Sequence, residues 1–447
     1  MRSVLLAATV AAFGVTACGQ GASDPFAGFG PKPELPTPTT SALPTVKVAK
    51  FVGWPKDAAP TAPPGFVVTR FADGLDHPRW LLVLPNGDVL AAESSSEPKP
   101  PKTFKDWVAQ LVQKRAGALQ ESPNKIMLLR DSDADGVADT KAIFAQGLKR
   151  PFGMALVGDT LYVANDDSIV AFAYSEGQTK VQGAGTKVFD LPGGPINHHW
   201  TKNIIASPDG QKLYATVGSN SNVGENGLAA EAGRAQIVEF TLPEGPSRPY
   251  ATGLRNPNGM DWEPTTGKLW TAVNERDELG NDLVPDYMTS VTPGGFYGWP
   301  YSYYGQHVDT RVSPQQPDLV AKALVPDYAL GPHTASLGLA FYRGDAFPAA
   351  YKGGVFIGQH GSWNRRPLNG YRVVFIPFVK GKPSGPPQAF LTGFLNAKDE
   401  AQGRPAGVAV DNTGALLVAD DSGDIVWRVA SANPPPAPVA APEPPKP

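Results

Sequence analysis

A single cysteine, Cys18, stands in 447 residues, so no disulfide can form within the chain and no cysteine cluster can hold a metal. Charged residues make up only 18% and the formal net charge is −3. A nucleic-acid binder would need a strongly basic surface, so that class is excluded. The apolar run at 4–15 falls well short of the ~20 residues that cross a bilayer as a helix. No His-Glu-x-x-His pattern supports zinc, and no Gly-x-Ser-x-Gly elbow with suitable flanks supports a serine hydrolase. Glycine turns such as Gly233-Arg234 do not sit between a strand and a helix, which rules out a dinucleotide-binding fold.

Glycine (48) and proline (47) are abundant, as an all-β chain with many tight connections requires. Between 65 and 429 one phrase recurs six times: an apolar run, a polar loop, an apolar strand, a glycine turn and a second apolar strand. GFVVTRFADGLDHPRWLLVLPNGDVLAAE is the first copy and AFLTGFLNAKDEAQGRPAGVAVDNTGALLVADD the last. A repeat of this kind fixes architecture before any local signal does. Short strands in sixfold repetition predict a six-bladed β-propeller over 65–430, with the strand at 67–71 completing the last blade and closing the ring. Turns such as Pro85-Asn86-Gly87-Asp88 are strong hairpin signals. The repeat spacing is stretched by two insertions, 94–124 with a helix expected at 104–120, and 276–333. A seven-bladed ring with a blade hidden in 280–330 is the competing architecture.

The first 18 residues carry Arg2, an apolar core and small residues before Cys18, which resembles a bacterial lipoprotein signal. That resemblance implies a periplasmic or other extracytoplasmic protein lipid-anchored to a membrane at Cys18. Residues 19–64 and 431–447 are rich in proline and small residues, and both are expected to be disordered, the first as a tether and the second as a tail.

In a propeller the loop entering each innermost strand lies beside the axis. Those loops hold His77 and Arg79, Lys149 and Arg150, His198 and His199, Arg255 and Asn256, His333, and Arg404. A cation or imidazole recurs in every copy, which points to an anionic ligand on the axis; arginine suits planar carboxylates. The loops after each second strand carry Glu93, Asp166 and Asp167, Ser219 and Asn220, Glu275 and Asp277, His360 with Trp363, Asn364 and Arg365, and Asp420 with Asp421. Clustered oxygen ligands suit a hard cation such as calcium. Separately, Asp131, Asp133, Asp135 and Asp139, with Gly136 at the turn, resemble the start of a calcium loop, although Ala142 stands where a bidentate glutamate would close it.

The His198-to-Gly218 segment, Leu254-Arg255-Asn256-Pro257-Asn258-Gly259, the Gly-Gly-Phe-Tyr-Gly-Trp-Pro run at 294–300 and GRPAGVAVD at 403–411 together resemble the glucose/sorbosone dehydrogenase family, in particular its sorbosone-dehydrogenase-like branch. The resemblance covers 65–430 and implies a six-bladed propeller using pyrroloquinoline quinone (PQQ) and calcium. It implies that His199 is the catalytic base, that Arg255, Asn256 and Arg404 hold the cofactor, and that Arg79 and His360 or Arg365 complete the cradle. Calcium would be held among Glu275, Asp277, Asp282 and Tyr297. Two departures stand out: His198 where the family has an acid, and Ser219 where it has an aspartate. The implied function is oxidation of an aldose, sugar aldehyde or related polyol, with electrons passed to a separate acceptor. A calcium-dependent lactonase or esterase and a non-catalytic envelope binding propeller are the alternatives.

Overall fold

The computed structural model describes residues 26–39, 46–97, 114 and 121–433. Six antiparallel sheets, five of four strands and one of five, follow one another along the chain. Blade 1 is Pro78–Val83, Val89–Glu93, Lys125–Arg130 and Thr140–Gln146. Blade 2 is Met154–Val157, Thr160–Ala164, Ser168–Ala173 and Thr186–Asp190. Blade 3 is Ile204–Ala206, Lys212–Val217, Gln236–Thr241 and Ser247–Thr252. Blade 4 is Pro257–Trp262, Leu269–Val273, Pro285–Ser290 and Tyr328–Pro332. Blade 5 is Ser336–Phe341, Val355–Gln359, Arg372–Ile376 and Gln388–Leu391. Blade 6 is Pro405–Val410, Leu416–Asp420, Ile425–Ser431 and, from the other end of the chain, Phe66–Ala72.

That last pairing runs from Phe66 opposite Ser431 to Ala72 opposite Val426 and joins the two ends of the chain in one blade, which closes the ring. Each innermost strand touches the next around the axis, and blade 6 touches blade 1. The fold is a six-bladed β-propeller. Residues 280–330 contribute no seventh blade. They supply the last two strands of blade 4 and, between them, a two-stranded hairpin (Ser302–Tyr303, His307–Val308) and a short helix, Pro317–Val320.

The apolar side chains sort into six clusters, one per interface between neighbouring blades. Leu90, Ile126 and Phe144 meet Met154, Leu161 and Val170 across blades 1 and 2. Val89, Ala91 and Leu129 meet Leu417, Ala419 and Val426 across blades 1 and 6. Consecutive residues of one strand thus serve opposite interfaces, and both faces of the sheet are buried. For this reason the second strands (Val-Leu-Ala-Ala, Leu-Tyr-Val-Ala, Leu-Leu-Val-Ala) read as continuous apolar runs rather than alternating ones.

The axis imposes a second constraint. Gly153, Gly259, Gly338 and Gly407 occupy one register of four innermost strands, where backbones of adjacent blades meet. A Cβ on Gly407 would lie 2.7 Å from the Arg79 carbonyl oxygen, and one on Gly338 2.5 Å from that of Ala406. These are backbone atoms of a closed ring and cannot swing aside.

The disordered-tether expectation for 19–64 is corrected for its described part. Phe29–Gly30 adds a fifth strand to blade 4 through Tyr328–Pro332. Ala49 is buried, and Trp54 stacks edgewise on Phe394 and Trp427 and donates Nε1–H to Asp420 at 2.7 Å. Thr61 bridges to Thr392. A few aromatics spaced through a proline-rich segment supply enough burial to bind it as a strap, which average composition conceals. The expected signal and its Cys18, the helix at 104–120 (apart from Lys114) and most of the tail lie outside the described residues.

The glycine constraint gives a direct test. Gly407→Ala should lower unfolding stability by about 1–3 kcal/mol, because the added methyl meets a fixed carbonyl. Gly267→Ala, where nothing lies within 4 Å but φ is +66°, should show backbone strain alone. Chemical denaturation of both variants reads the difference.

Candidate active site

The loops at one end of the axis bring the two sets of charges together. Lys149 lies 2.5 Å from Asp167, and Arg150 pairs with buried Asp166. Arg79 reaches Asp421 at 3.2 Å, His360 reaches it at 2.8 Å, and His77 stands 3.7 Å away. His333 contacts Asp277 at 3.2 Å, and Arg255 lies 3.5 Å from the other oxygen of that carboxylate. The rim cations therefore meet protein carboxylates first. A buried charge without a partner is costly, and pairing of this kind is the usual resolution.

Asp421 is the hub of blades 5, 6 and 1. Burial works against its ionisation, but His360, His77 and Arg79 outweigh it and hold the carboxylate far below its ordinary range. Burial pushes His77 down to about 4 despite Asp421, and lowers His360 as well. Arg404 completes this side. Its backbone N–H donates to Asp420 at 2.7 Å, its guanidinium donates to the Tyr371 hydroxyl at 3.2 Å and lies 5.0 Å from that ring, and its Nε is buried with no partner. Arg79 Nε and His77 Nδ1 are likewise buried and unpartnered.

His199 stands across the axis. Its Nδ1 is 2.9 Å from the Ser219 carbonyl and 3.0 Å from Ser219 Oγ. Ser219 Oγ–H itself donates to Ser221 O at 2.6 Å, so both Ser219 oxygens accept from Nδ1–H. That fixes the tautomer and leaves Nε2 with its lone pair. Burial lowers the His199 pKa well below 6.5, and the nearby charges of Arg255 and His198 push the same way. Gly218 permits this approach, since any Cβ there would collide with His199 Cβ and Asn256 Oδ1. Asn256 Oδ1 is buried without a partner. Ser219 thus orients the ring, and the missing acid at 198 is not needed for that purpose.

Arg255 is more committed than the sequence implied. Its guanidinium donates to Glu275 O at 2.8 Å, Asn274 O at 3.3 Å, and Asn222 O and Oδ1 at 3.2 and 3.0 Å. Asp277 also accepts from Asn364 at 2.9 Å. Burial opposes its ionisation, yet the His333 hydrogen bond and the Arg255 charge prevail and hold it low. His333 faces Asp277 Oδ1 with one ring nitrogen and Gly280 O, at 3.0 Å, with the other, as an imidazolium would. The segment His360–Asn364 joins the two halves, with His360 on Asp421 and Asn364 on Asp277. Trp200, next to His199, lies 5.9 Å from the Arg79 guanidinium.

The metal expectations divide. Asp277 is engaged by His333, Asn364 and Arg255, Asp282 pairs with Arg365 at 2.7 Å, and the Tyr297 hydroxyl donates to Ser290 O at 2.7 Å. These three do not converge as ligands, and Arg365 is tied to Asp282 and Pro367 O rather than to the cluster around Asp421. Glu275 differs. Its Oε1 is buried and unpartnered, as are Ser302 Oγ and the Tyr287 and Tyr304 hydroxyls. Burial, reinforced by Asp286 and Asp309, raises Glu275 to about 8 against the pull of Arg255. Arg276 enters the same chamber, with Nε 3.1 Å from Asp309. Far from the axis, Asp131, Asp133 and Asp139 hold ligand oxygens within 4.8 Å of one another, the acidic trio of that kind among the described residues. Asp135 instead accepts from Val137 N–H at 2.8 Å. Position in the repeat marked the rim residues. Their pairing depends on distances across blades, to which spacing along the chain is blind.

Glu275 yields a pH prediction. A carboxyl whose folded pKa is raised contributes stability below its ordinary value near 4.5 and loses that contribution as pH rises through about 8. Glu275→Gln should therefore gain stability relative to the natural chain across that window, by on the order of a few kcal/mol. Denaturation midpoints in metal-free buffer, compared across the window, check this; a constant difference contradicts a buried neutral carboxyl.

A family model described as TrAA12-like matches residues 121–293 and 313–431. An uncharacterised protein of Borreliella burgdorferi is 26% identical over 356 residues, covering 76% of this chain and 93% of its own length. A pyrroloquinoline quinone-dependent pyranose dehydrogenase of Coprinopsis cinerea is 27% identical over 223 residues, a match to 40% of this chain and only 30% of the fungal enzyme. Among solved structures, a family AA12 carbohydrate-active enzyme of Trichoderma reesei has a TM-score of 0.68 at 18% identity, covering 87% of this chain and 99% of that one. The PQQ domain of the Coprinopsis cinerea pyranose dehydrogenase also scores 0.68, at 19% identity, covering 86% and 100%. At such identities the structural likeness is one of fold. The family match spans well over half of the sequence, and the chain belongs to the TrAA12-like family.

Proposed function

We propose that the protein is a quinoprotein dehydrogenase that oxidises a sugar or related polyol, with His199 as general base. The observation that carries this reading is the His199 ring, held through Nδ1 by Ser219 with its Nε2 lone pair free and its neutral form favoured by burial. A group of this kind within reach of a hydroxyl takes its proton as the carbon–hydrogen bond breaks. Bound PQQ would supply the two-electron hydride acceptor. The residues fit such a group: Arg404, Arg79 and His77 retain buried nitrogens without partners on one side of the rim, and arginine N–H groups suit a planar polycarboxylate. Asn256 Oδ1 lies beside His199 and would orient the substrate hydroxyl, while Arg255, whose guanidinium is committed to protein oxygens, contributes its positive charge nearby.

Similarity to the Coprinopsis cinerea enzyme, and 30% identity over 110 residues to an aldose sugar dehydrogenase of Escherichia coli, support the substrate class. Calcium finds two candidate positions, the Glu275 chamber, whose unpartnered oxygens a divalent ion would satisfy, and the Asp131–Asp139 loop. Electrons must leave to a separate acceptor, a quinone or a cytochrome. We place the enzyme outside the cytoplasm, anchored by lipid at Cys18, on the signal-like sequence at 1–18.

With PQQ and calcium added, the natural chain should reduce an artificial dye in the presence of aldoses. His199→Asn should lower kcat by about 10²–10⁴-fold while cofactor affinity, read by absorbance titration, stays within a few-fold. The acid limb of kcat/KM should lie below pH 6.5, because His199 remains neutral there. Unchanged turnover in His199→Asn removes the assigned base, and turnover with calcium but no quinone replaces the reading with a hydrolase.

A further inference from the structure

Beneath the loop that carries His199 lies a lysine with no part in the chemistry above. Lys202 is completely buried, 0% exposed. Its Nζ donates to Trp200 O at 3.1 Å, His199 O at 3.3 Å and Asn197 Oδ1 at 3.5 Å. An ammonium has three N–H donors and no acceptor, and here three acceptors face it. All three come from residues 197–200, so a single side chain closes that loop on itself. Burial lowers its pKa well below the ordinary lysine value, and the three acceptors facing Nζ favour the ammonium against that pressure.

The loop is held from its other side as well. Asn197 adopts φ +34°, a left-handed conformation that needs external support. Its side-chain oxygen also accepts from Arg234 Nη2 at 3.0 Å, and its amide nitrogen donates to Asp166 O at 3.3 Å. Arg234 Nη1 in turn donates to Gly218 O at 3.2 Å, one residue before the serine that grips the His199 ring. Lys202 therefore fixes the backbone from which the imidazole projects, and Arg234 fixes the strand end that receives it. The charged groups facing Lys202 are Arg234, Asp166, Arg150 and Asp167; those facing His199 are Arg255, His198 and Lys202.

We propose that Lys202 is a positioning residue for His199: its ammonium ties the carbonyls of His199 and Trp200 and so sets the direction of Nε2. The assignment rests on His199 being the base. Placement matters here at a scale smaller than the loop's freedom without the tie. An error of about 1 Å in a reacting group costs roughly 10²-fold in rate. A lysine that only filled the core would affect folding and leave the ring unchanged.

The test follows the His199 ring in histidine-labelled protein by NMR, its signal assigned with His199→Asn, alongside kinetics. In Lys202→Met the ring should lose its single Nδ1–H tautomer, and its titration midpoint should rise as a neighbouring positive charge is removed. kcat should fall by about tenfold or more, with KM and quinone affinity within a few-fold of the natural chain. Lys202→Gln, which keeps two donors and little cavity, should recover part of the tautomer preference and of kcat, and it serves if the methionine variant does not fold. A ring with unchanged tautomer and midpoint in both variants overturns the proposal, as does a loss of kcat matched entirely by loss of folded protein. Should the natural chain oxidise no sugar, the function reading fails, while the ring's response still decides what Lys202 does.

Discussion

Buried charge must be balanced, and on this propeller the balance is struck around the axis before any ligand arrives. Six blades deliver cations through one set of loops and carboxylates through another, and their ends are covered by neighbouring loops. Asp421 takes the charge of Arg79 and lies against two imidazoles, Asp277 takes the charges of His333 and Arg255, and Asp166 takes that of Arg150. Among the groups that remain are His199 Nε2, Asn256 Oδ1, the uncommitted nitrogens of Arg404, Arg79 and His77, and Glu275 Oε1. Paired charges give the rim a fixed field at little reorganisation cost. Unpaired ones give it something to do.

The two halves of the rim divide the labour along these lines. Blades 5, 6 and 1 gather Arg79, Arg404 and two imidazoles around Asp421 and leave nitrogens of Arg79, Arg404 and His77 without partners. Blades 3 and 4 carry the neutral imidazole, whose basicity is lowered by burial and by Arg255. An anionic ligand on one side and a proton acceptor on the other would face each other across the axis. The fold alone does not dictate such a division, since propellers host unrelated functions. It follows from which loop residue each blade supplies.

Much of the fold was legible because the repeat is a physical necessity, not a decoration. Both faces of every blade are buried, so each second strand is apolar throughout, and the innermost strands crowd until only glycine fits at 153, 259, 338 and 407. The rim placement of His199, Arg255 and Arg404 was legible for the same reason, since position in the repeat is position about the axis. What escaped was everything set by contacts between distant segments. Trp54 sits in a stretch whose composition argues for disorder, yet it lies against Trp427, 373 positions away. The bonding of Asn364 to Asp277, the diversion of Arg365 to Asp282 and the tie from Lys202 depend on angles and reach that no spacing encodes.

The strap also reaches the chemistry. Trp54 Nε1–H and Trp427 Nε1–H both donate to Asp420 Oδ2, at 2.7 and 3.1 Å, while Asp420 Oδ1 accepts from the backbone N–H of Arg404 and of Gly423. Burial lifts this carboxyl to about 6, and these four donors hold it against that pressure. Removing Trp54 would leave fewer donors for a completely buried carboxylate, which favours its protonated form and loosens the turn that presents Arg404. Asp421, the hub for Arg79 and His360, is the next residue. A segment that reads as a passive tether is thus bonded, one side chain away, to the cationic half of the site. Its packing and the electrostatics of the rim are consequences of the same carboxylate pair.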